Sequence, residues 1–292
     1  MTLDQIRIFL SVAELCHVTQ AAHRLNLTQS AVSAAISALE TKYDVKLFDR
    51  VGRGIVLTDA GHFLIPAAQR ALREAEFAQA LLSNISAEPR GRLRIWASQT
   101  IASYWLTPRM IRMHSSFPKV DLSLHAGNTA EVSHAVTEGA ADIGFVEGAV
   151  TAEGLTRQIV GRDELLMVMS RKHPLVRKQT LTATDYRKMQ WLLREPGSGT
   201  RTVMEQHLTD MGLSVDDLPV VLQLPTNDAI LAGIRAGTCV SLLSWRAVPK
   251  ARLNDLAVRR ITWSPKPRRP FLALTDPRRF QTGALTEFLN LF

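Results

Sequence analysis

The chain has 292 residues, 46% of them hydrophobic and 21% charged, which gives room for two or three domains and excludes an intrinsically disordered chain. It contains no apolar run near the ~18 residues of a membrane span, and Asp4, Arg7 and Glu14 interrupt the segment where an export signal needs an unbroken apolar stretch. Only Cys16 and Cys239 occur, without a CxxC, so disulfide frameworks and cysteine-rich zinc sites are excluded and a cytoplasmic location is expected.

The formal charge of +8 invites a polyanionic partner, but its location matters. Residues 1–92 hold ten Lys/Arg against nine Asp/Glu, whereas residues 246–279 hold ten against two. A claim of nucleic-acid binding therefore has to rest on how residues are arranged in a motif, not on bulk charge.

In chain order, Thr2 and Gln5 form a capping box, and Leu3, Ile6, Phe9, Leu10 and Ala13 predict an amphipathic helix over about 3–15. Thr19 caps a short second helix carrying Ala21, Ala22 and Leu25, which Asn26 ends in a left-handed conformation. Thr28 caps a third helix, with Ala31, Val32, Ala35, Ile36 and Leu39 as its buried stripe and Gln29, Ser30, Ser33, Ala34 and Ser37 on the open side. Val45–Phe48 and Gly54–Leu57 then read as two strands around a turn holding Arg50, Gly52 and Arg53. Three helices and a basic-tipped hairpin are the plan of a winged helix-turn-helix. Short hydrogen-bonding side chains let a helix backbone enter the major groove, and Gln29, Ser30, Ser33 and Ser37 supply them. Taken singly, each of these residues is equally a solvated surface position; the compact arrangement of the whole block favours the DNA-reading alternative.

Through VTQAAHRLNLTQSAVSAAISALETKYDVKLFDRVGRGIVLTDAG at 18–61, the chain closely resembles the LysR-type transcriptional regulators. The resemblance implies a multidomain chain: an N-terminal, mainly α winged helix-turn-helix, a long linker helix, and a C-terminal α/β domain like a two-lobed periplasmic binding protein. It carries DNA reading onto Gln29, Ser30 and Ser33, and backbone contact onto Thr28, Arg50 and Arg53. Many members have a long polar or basic residue just after the position of Ser33, where this chain has Ala34 and Ala35, so base readout shifts toward Gln29, Ser30 and Ser37.

Thr58 caps a long helix over 59–86, in which Ala60, Leu64, Ala67, Ala71, Ala78, Leu81 and Ile85 form a near-heptad stripe interrupted at Glu74. Such a helix, about 1.5 Å per residue, is too long to bury its stripe against the small N-terminal module alone, so a second copy is expected to cover it. Pro66 bends it or removes one hydrogen bond. Glu88-Pro89-Arg90-Gly91 ends the helix and marks a domain boundary. The expected division is 1–58, DNA binding; 59–87, linker and dimerisation; 88–292, effector binding, with lobe I at about 88–162 and 265–292 and lobe II at about 163–264.

Beyond Leu93, short apolar runs alternate with helical stretches: Leu93–Ala97, Val120–His125, Ile143–Glu147, Leu165–Met169, Trp191–Arg194, Val220–Leu224, Val240–Leu243 and Phe271–Leu274. This predicts α/β structure with mainly parallel sheets, whose ligands bind beyond the strands' carboxyl ends at helix N-termini. Ser98-Gln99-Thr100, Gly127-Asn128-Thr129, Gly197-Ser198-Gly199-Thr200 and Thr226-Asn227 sit at such junctions. Each reads either as a helix cap or as part of a pocket for a small anion or carboxylate. The resemblance places the effector between the lobes, at Ser98, Gln99, Thr100, Asn128, Thr129, Ser198, Gly199 and Thr200, with crossings near 160–164 and 264–269. Arg201 is either a counter-charge or a surface group, and Glu147 leaves the sign of the ligand open. Trp96, Tyr104 and Trp105 read as packing, and Arg259, Arg260, Lys266, Arg268 and Arg269 as a solvated basic surface.

Enzyme chemistry finds no motif. Ser98 and Ser198 lack a GxSxG elbow, EPGSGT lacks the Lys of a P-loop, and no GxGxxG follows a strand. His17, His23, His62, His114, His125, His134, His173 and His207 show no metal-ligand pairing. An enzyme with an appended DNA-binding module and a solute-binding transport component are the alternatives. The resulting expectation is a cytoplasmic regulator that is not an enzyme and has no cofactor or metal. Its expected partners are double-stranded DNA at a dyad-symmetric site, a small-molecule effector, a second copy in a dimer or tetramer, and RNA polymerase, with no membrane.

Overall fold

A computed structural model describes residues 1–51, 54–83, 88–148, 150, 153–248 and 255–292. The chain divides into two units, Met1–Ile85 and Ser86–Phe292.

The first unit opens with α1 (Leu3–Leu15), held by a reciprocal Thr2–Gln5 capping box, followed by α2 (Val18–Leu25) and α3 (Gln29–Tyr43). Asn26 closes α2 at φ +54°, as its short polar side chain allows. The cap of α2 differs from expectation: His17 Nδ1, not Thr19, accepts from Gln20 N, because the helix starts two residues earlier. Thr28 caps α3 through Ala31 N. Ile6, Phe9, Val12, Ala21, Ala22, Val32 and Leu39 form the interior, while Ala31, expected in the stripe of α3, is exposed at the edge of the turn.

Strands β1 (Phe48–Val51) and β2 (Gly54–Leu57) pair antiparallel. The first strand lies later than expected, because the amides of Leu47 and Phe48 are drawn to the buried Glu40 of α3, which accepts from them at 2.8 and 3.2 Å. Arg50 is therefore within β1, opposite Ile55, rather than in the turn; Gly52 and Arg53 lie outside the described residues.

Helix α4 (Asp59–Ser83) starts at the expected cap, with Gly61 N donating to Thr58 Oγ1, and runs on through Pro66. Its stripe divides. Ala60, Leu64 and Ala71, with Ile65, Ala68 and Leu72, pack into the first unit's own interior against α1, so this half is covered without a second copy. Ala67, Ala78 and Phe63 are exposed. The side chain of Leu81 and all of Ile85 lie outside what is described.

The second unit is built on two sheets joined through one long strand. The first sheet runs β4 (Val120–Gly127), β3 (Gly91–Ser98), β5 (Ile143–Glu147), β11 (Arg268–Thr275) and the first half of β6 (Thr156–Ser170). The second continues from the rest of β6 through β9 (Val240–Ser244), β7 (Trp191–Arg194) and β8 (Val220–Leu224), with β10 (Leu256–Arg259) on the other side of β6. Among the described residues of this unit, four pairings are parallel and four antiparallel, so the sheets are mixed rather than mainly parallel. The antiparallel pairings all involve β6 or β11, the strands that carry the chain through the centre. The first expected crossing, near 160–164, is internal to β6, which turns from pairing with β11 to pairing with β9 between Glu164 and Leu165.

Helices cover both faces of each sheet. On the first, the continuous run of α5 (Gln99–Ile101), a π-helical turn (Ala102–Leu106) and α6 (Thr107–Ser116), together with α11 (Gly283–Leu289), covers one face, and α7 (Thr129–Thr137) covers the other. On the second, α8 (Ala183–Lys188) and α9 (Gly199–Asp210) oppose α10 (Asn227–Ala236). The inner strands β5, β7 and β9 therefore bury both faces and read as short unbroken apolar runs, while the edge strands β4 and β8 stay partly exposed. Each fully buried Leu or Ile contributes roughly 1.5–3 kcal/mol of transfer free energy.

Candidate DNA-reading and effector sites

Thr28, Gln29, Ser30, Ser33, Ala34 and Ser37 are all exposed within the first unit, while Val32 and Leu39 are buried beneath them. The outward flank of α3 is thus a strip of short polar and small side chains on a helix fixed from below by apolar packing. Thr28 Oγ1 is committed to capping Ala31 N and lies 3.0 Å from Ser30 Oγ. Arg50 is exposed on β1. Sequence reasoning missed Glu40, which couples the hairpin to α3; an acidic residue amid charged neighbours gave no sign of burial.

In the second unit, the carboxyl ends of β3, β4 and β5 lie side by side, with Ser98 in register with Gly127 and Ala97 with Phe145. The ends of β7 and β8 are likewise paired at Arg194 and Leu224. Helices α5, α7, α9 and α10 begin there, and their first turns approach one another. A methyl group at Gly199 would press on the Glu147 carbonyl oxygen and lie 2.8 Å from Thr129 Oγ1. Gly197 carries φ +85°, a conformation that favours glycine, and its carbonyl accepts from Ala130 N. The start of α9 is thereby seated directly against α7 and the end of β5.

Asn128 serves as a cap, accepting from Glu131 N, so its side chain follows the capping alternative. Gln99 Oε1 accepts from Asn227 N at 3.2 Å and Arg194 Nη1 at 3.4 Å. Thr100, fully buried, accepts from Asn227 Nδ2 at 3.1 Å. Ser198, also buried, makes no capping bond through its side chain. Ser98 Oγ and Thr129 Oγ1 are buried without a hydrogen-bond partner. Orphan hydroxyls of this kind are expensive in a folded protein and mark positions completed by something else.

Arg269 overturns the reading of the basic run as solvated surface. Its side chain is fully buried: Nε donates to Asp163 Oδ2 at 2.9 Å, Nη1 donates to Thr200 Oγ1 at 3.0 Å, and Nη2 lies 3.4 Å from Glu147 Oε1. Ser244 donates to the other oxygen of Asp163. Glu147 is thus tied to a protein cation, and it places no free charge in the site. Arg259 is also held, donating to the carbonyls of Leu175 and Gln179. Arg201 is buried, donating to Glu205 and to the Arg194 carbonyl, so it is not the exposed surface group of the second alternative. Trp105 lies in the interior as expected, Trp96 stacks on His125, and Tyr104 donates to Asp228 across the sheets.

His207, on α9, is buried between Tyr186 and Ser264, and burial pushes its imidazole down to about 4. Burial raises the Tyr186 phenol. Among the described residues, no group of three or more metal-ligating side chains occurs, and no helix is long and apolar enough to cross a membrane.

Two family models match: the bacterial regulatory helix-turn-helix protein, lysR family, over residues 3–62, and the LysR substrate binding domain over residues 86–292. The chain belongs to the LysR family. Its members are transcriptional regulators, not enzymes, and this chain is a DNA-binding regulator of that kind with a C-terminal ligand-binding domain. Among curated relatives, the HTH-type transcriptional regulator YeiE of Escherichia coli K12 is 32% identical, over 99% of this chain and 96% of its own. A regulator of Methanocaldococcus jannaschii is also 32% identical, over 92% of this LysR-family chain and 93% of its own. Full-length CbnR, solved with its target DNA, shares the fold at a TM-score of 0.74 and 22% identity, covering 100% of this chain and 98% of its own. A full-length OxyR from Pseudomonas aeruginosa does so at 0.69 and 19%, covering 99% and 93%.

Proposed function

We propose that this LysR-family chain acts in the cytoplasm as a homo-oligomer, a dimer or tetramer, that reads a dyad-symmetric promoter site and signals to RNA polymerase when a small anion or carboxylate binds its C-terminal domain. The reader comprises Gln29, Ser30, Ser33 and Ser37 for bases, with Thr28, Arg50 and Arg53 for the phosphate backbone. The observation that carries this is the outward strip of α3, polar, small and uncovered within its unit, on a helix capped at both ends. Two copies presenting that strip match paired half-sites. The divisions proposed are 1–58, 59–87 and 88–292, with the two lobes built on the two sheets.

The effector residues proposed are Ser98, Gln99, Thr100, Asn128, Thr129, Ser198, Gly199 and Thr200. Gly199 contributes backbone and close approach, while Gln99 and Asn128 shape the site through neighbours rather than through free side-chain groups. Arg269 is taken up by Glu147 and Asp163 and offers no free cation, so an anion would be met by hydroxyls and helix N-termini. The ligand drives regulation only through different affinities for two subunit arrangements.

Binding to DNA is tested with the double variant Gln29→Ala and Ser33→Ala. Operator preference over random DNA is expected to fall while the salt dependence persists, because phosphate contacts remain. Unchanged preference would remove α3 as the reader.

A further inference from the structure

Resting on the reading of α3 as the DNA-contacting helix, we infer that Ala34 is a specificity-determining residue of this chain, whose methyl group reads the 5-methyl group of a thymine in each half-site.

An α-helix places residues three and four apart beside one another on its surface. The four such neighbours of Ala34 are Ser30, Ala31, Ser37 and Ala38, and all four are exposed, as Ala34 is. Ala34 thus lies at the middle of the uncovered face, on the far side of the helix from Val32, Ile36 and Leu39, which fix it from below. From Ser30 to Ala38 this face carries nothing longer than serine, so no side chain holds the helix off a base edge.

The hydroxyls around Ala34 are unspent. Elsewhere in the chain helical hydroxyls turn back to the carbonyl four residues before them, as those of Ser115, Ser133, Thr137, Thr202 and Thr209 do. Ser33 and Ser37 do not, and their hydroxyls have no hydrogen-bond partner among the described residues. The serines are therefore free to meet polar base edges, whereas the alanine centre satisfies none. Set against guanine O6 or N7, or against the amino group of adenine or cytosine, it would leave a polar group unpaired and out of water. The one apolar group that the major groove presents is the thymine methyl, and methyl against methyl removes apolar surface on both sides without breaking a hydrogen bond. Charge does not enter, since the first Lys or Arg of α3 is Lys42, in its last turn.

Operator DNA selected from random duplexes by the unaltered full chain is the probe. Replacing its thymines by uracil, one at a time, removes the methyl and leaves every base-pairing and phosphate group in place. At one position in each half-site, uracil is expected to weaken binding about fourfold, the worth of one buried methyl-sized group. Both DNAs carry the same phosphates, so that ratio is expected to hold as salt rises while both affinities fall. Ala34→Gly is expected to bring the ratio to one. Each ratio is taken on one protein preparation, so a partly unfolded variant weakens both DNAs alike. Ala34→Gln, which favours helix where glycine does not, puts an amide where the methyl was and is expected to give the same ratio.

Absence of any thymine whose uracil form binds more weakly, or a ratio unchanged in these variants, would overturn the inference. Loss of all measurable binding by folded Ala34→Gly would do so too, because a contact worth about fourfold does not produce it. A failure of α3 itself reads differently: the Gln29→Ala, Ser33→Ala variant then leaves operator preference unchanged, whereas a failure confined to Ala34 leaves that preference relaxed by the double variant.

Discussion

Glu40 offers the sharpest stability test, because a single carboxylate joins α3 to the hairpin. Glu40→Ala removes the acceptor of the Leu47 and Phe48 amides, of which Leu47 lies in the core at 5% exposure. Two amides losing their partner at about 1–3 kcal/mol each, less whatever water recovers at the half-buried Phe48, sum to roughly 2–4 kcal/mol. The Lys46 contact adds little, since that side chain is 77% exposed. For a unit of this size, ~1 kcal/mol corresponds to about 4–8 °C, so the transition of the N-terminal unit is expected to fall on the order of 10–20 °C. Calorimetry of the full chain measures this, the C-terminal unit's transition serving as internal reference. Glu40→Gln keeps the one oxygen that accepts from both amides, so it is expected to lose much less, and operator affinity should fall in the same order as the hairpin loses its aim. A transition moved by less than about 2 °C in Glu40→Ala would refute the idea that this carboxylate anchors the hairpin.

The buried His207 predicts an acid-sensitive C-terminal unit. Its folded pKa, about 4, lies below the ordinary value of 6.5, so its contribution is fully present above pH 6.5 and is lost as pH falls toward 4. That contribution is on the order of 3 kcal/mol, and His207→Phe should flatten the decline in unfolding free energy between those pH values. Gly199→Ala should abolish the transcriptional response to the true inducer while DNA binding persists, because the added methyl collides with the Glu147 carbonyl and the Thr129 hydroxyl; an intact response would show that this approach is not part of the site. Arg269→Met should cost about 3–5 kcal/mol by stranding two buried carboxylates, seen as loss of the C-terminal unit's transition. An unchanged transition would mean that Arg269 does not hold these two carboxylates in place.

The N-terminal unit was legible because local rules set it. Thr2, Asn26 and Thr28 occupy the caps their chemistry suits, and Val32 and Leu39 follow helical spacing. What misled were positions set by distant partners. His17 outcompetes Thr19 as a cap, and Glu40 pulls the hairpin strand later along the chain. Most strands of the second unit were legible as apolar runs, but β10 and the Thr156–Glu164 half of β6 were not, nor was the mixed direction, since pairing direction depends on where β6 and β11 cross. At the proposed effector site, Ser98, Thr129 and Ser198 showed as polar residues at strand ends. Arg269 was hidden in a run of five basic residues, and nothing in the run distinguishes a guanidinium buried against Glu147 and Asp163 from one in water. Asn227 was seen only as a junction, because its role depends on Thr100, far away in sequence.

The central claim is that the exposed strip of α3 meets base edges. Photo-cross-linking from position 33, with a benzophenone side chain in place of Ser33 and operator DNA selected by the unaltered protein, tests it most directly. The account predicts cross-links to bases at symmetric positions in both half-sites, abolished by competing operator but not by random DNA. Cross-links absent from position 33, yet present from an exposed position such as Phe63 on α4, would contradict it.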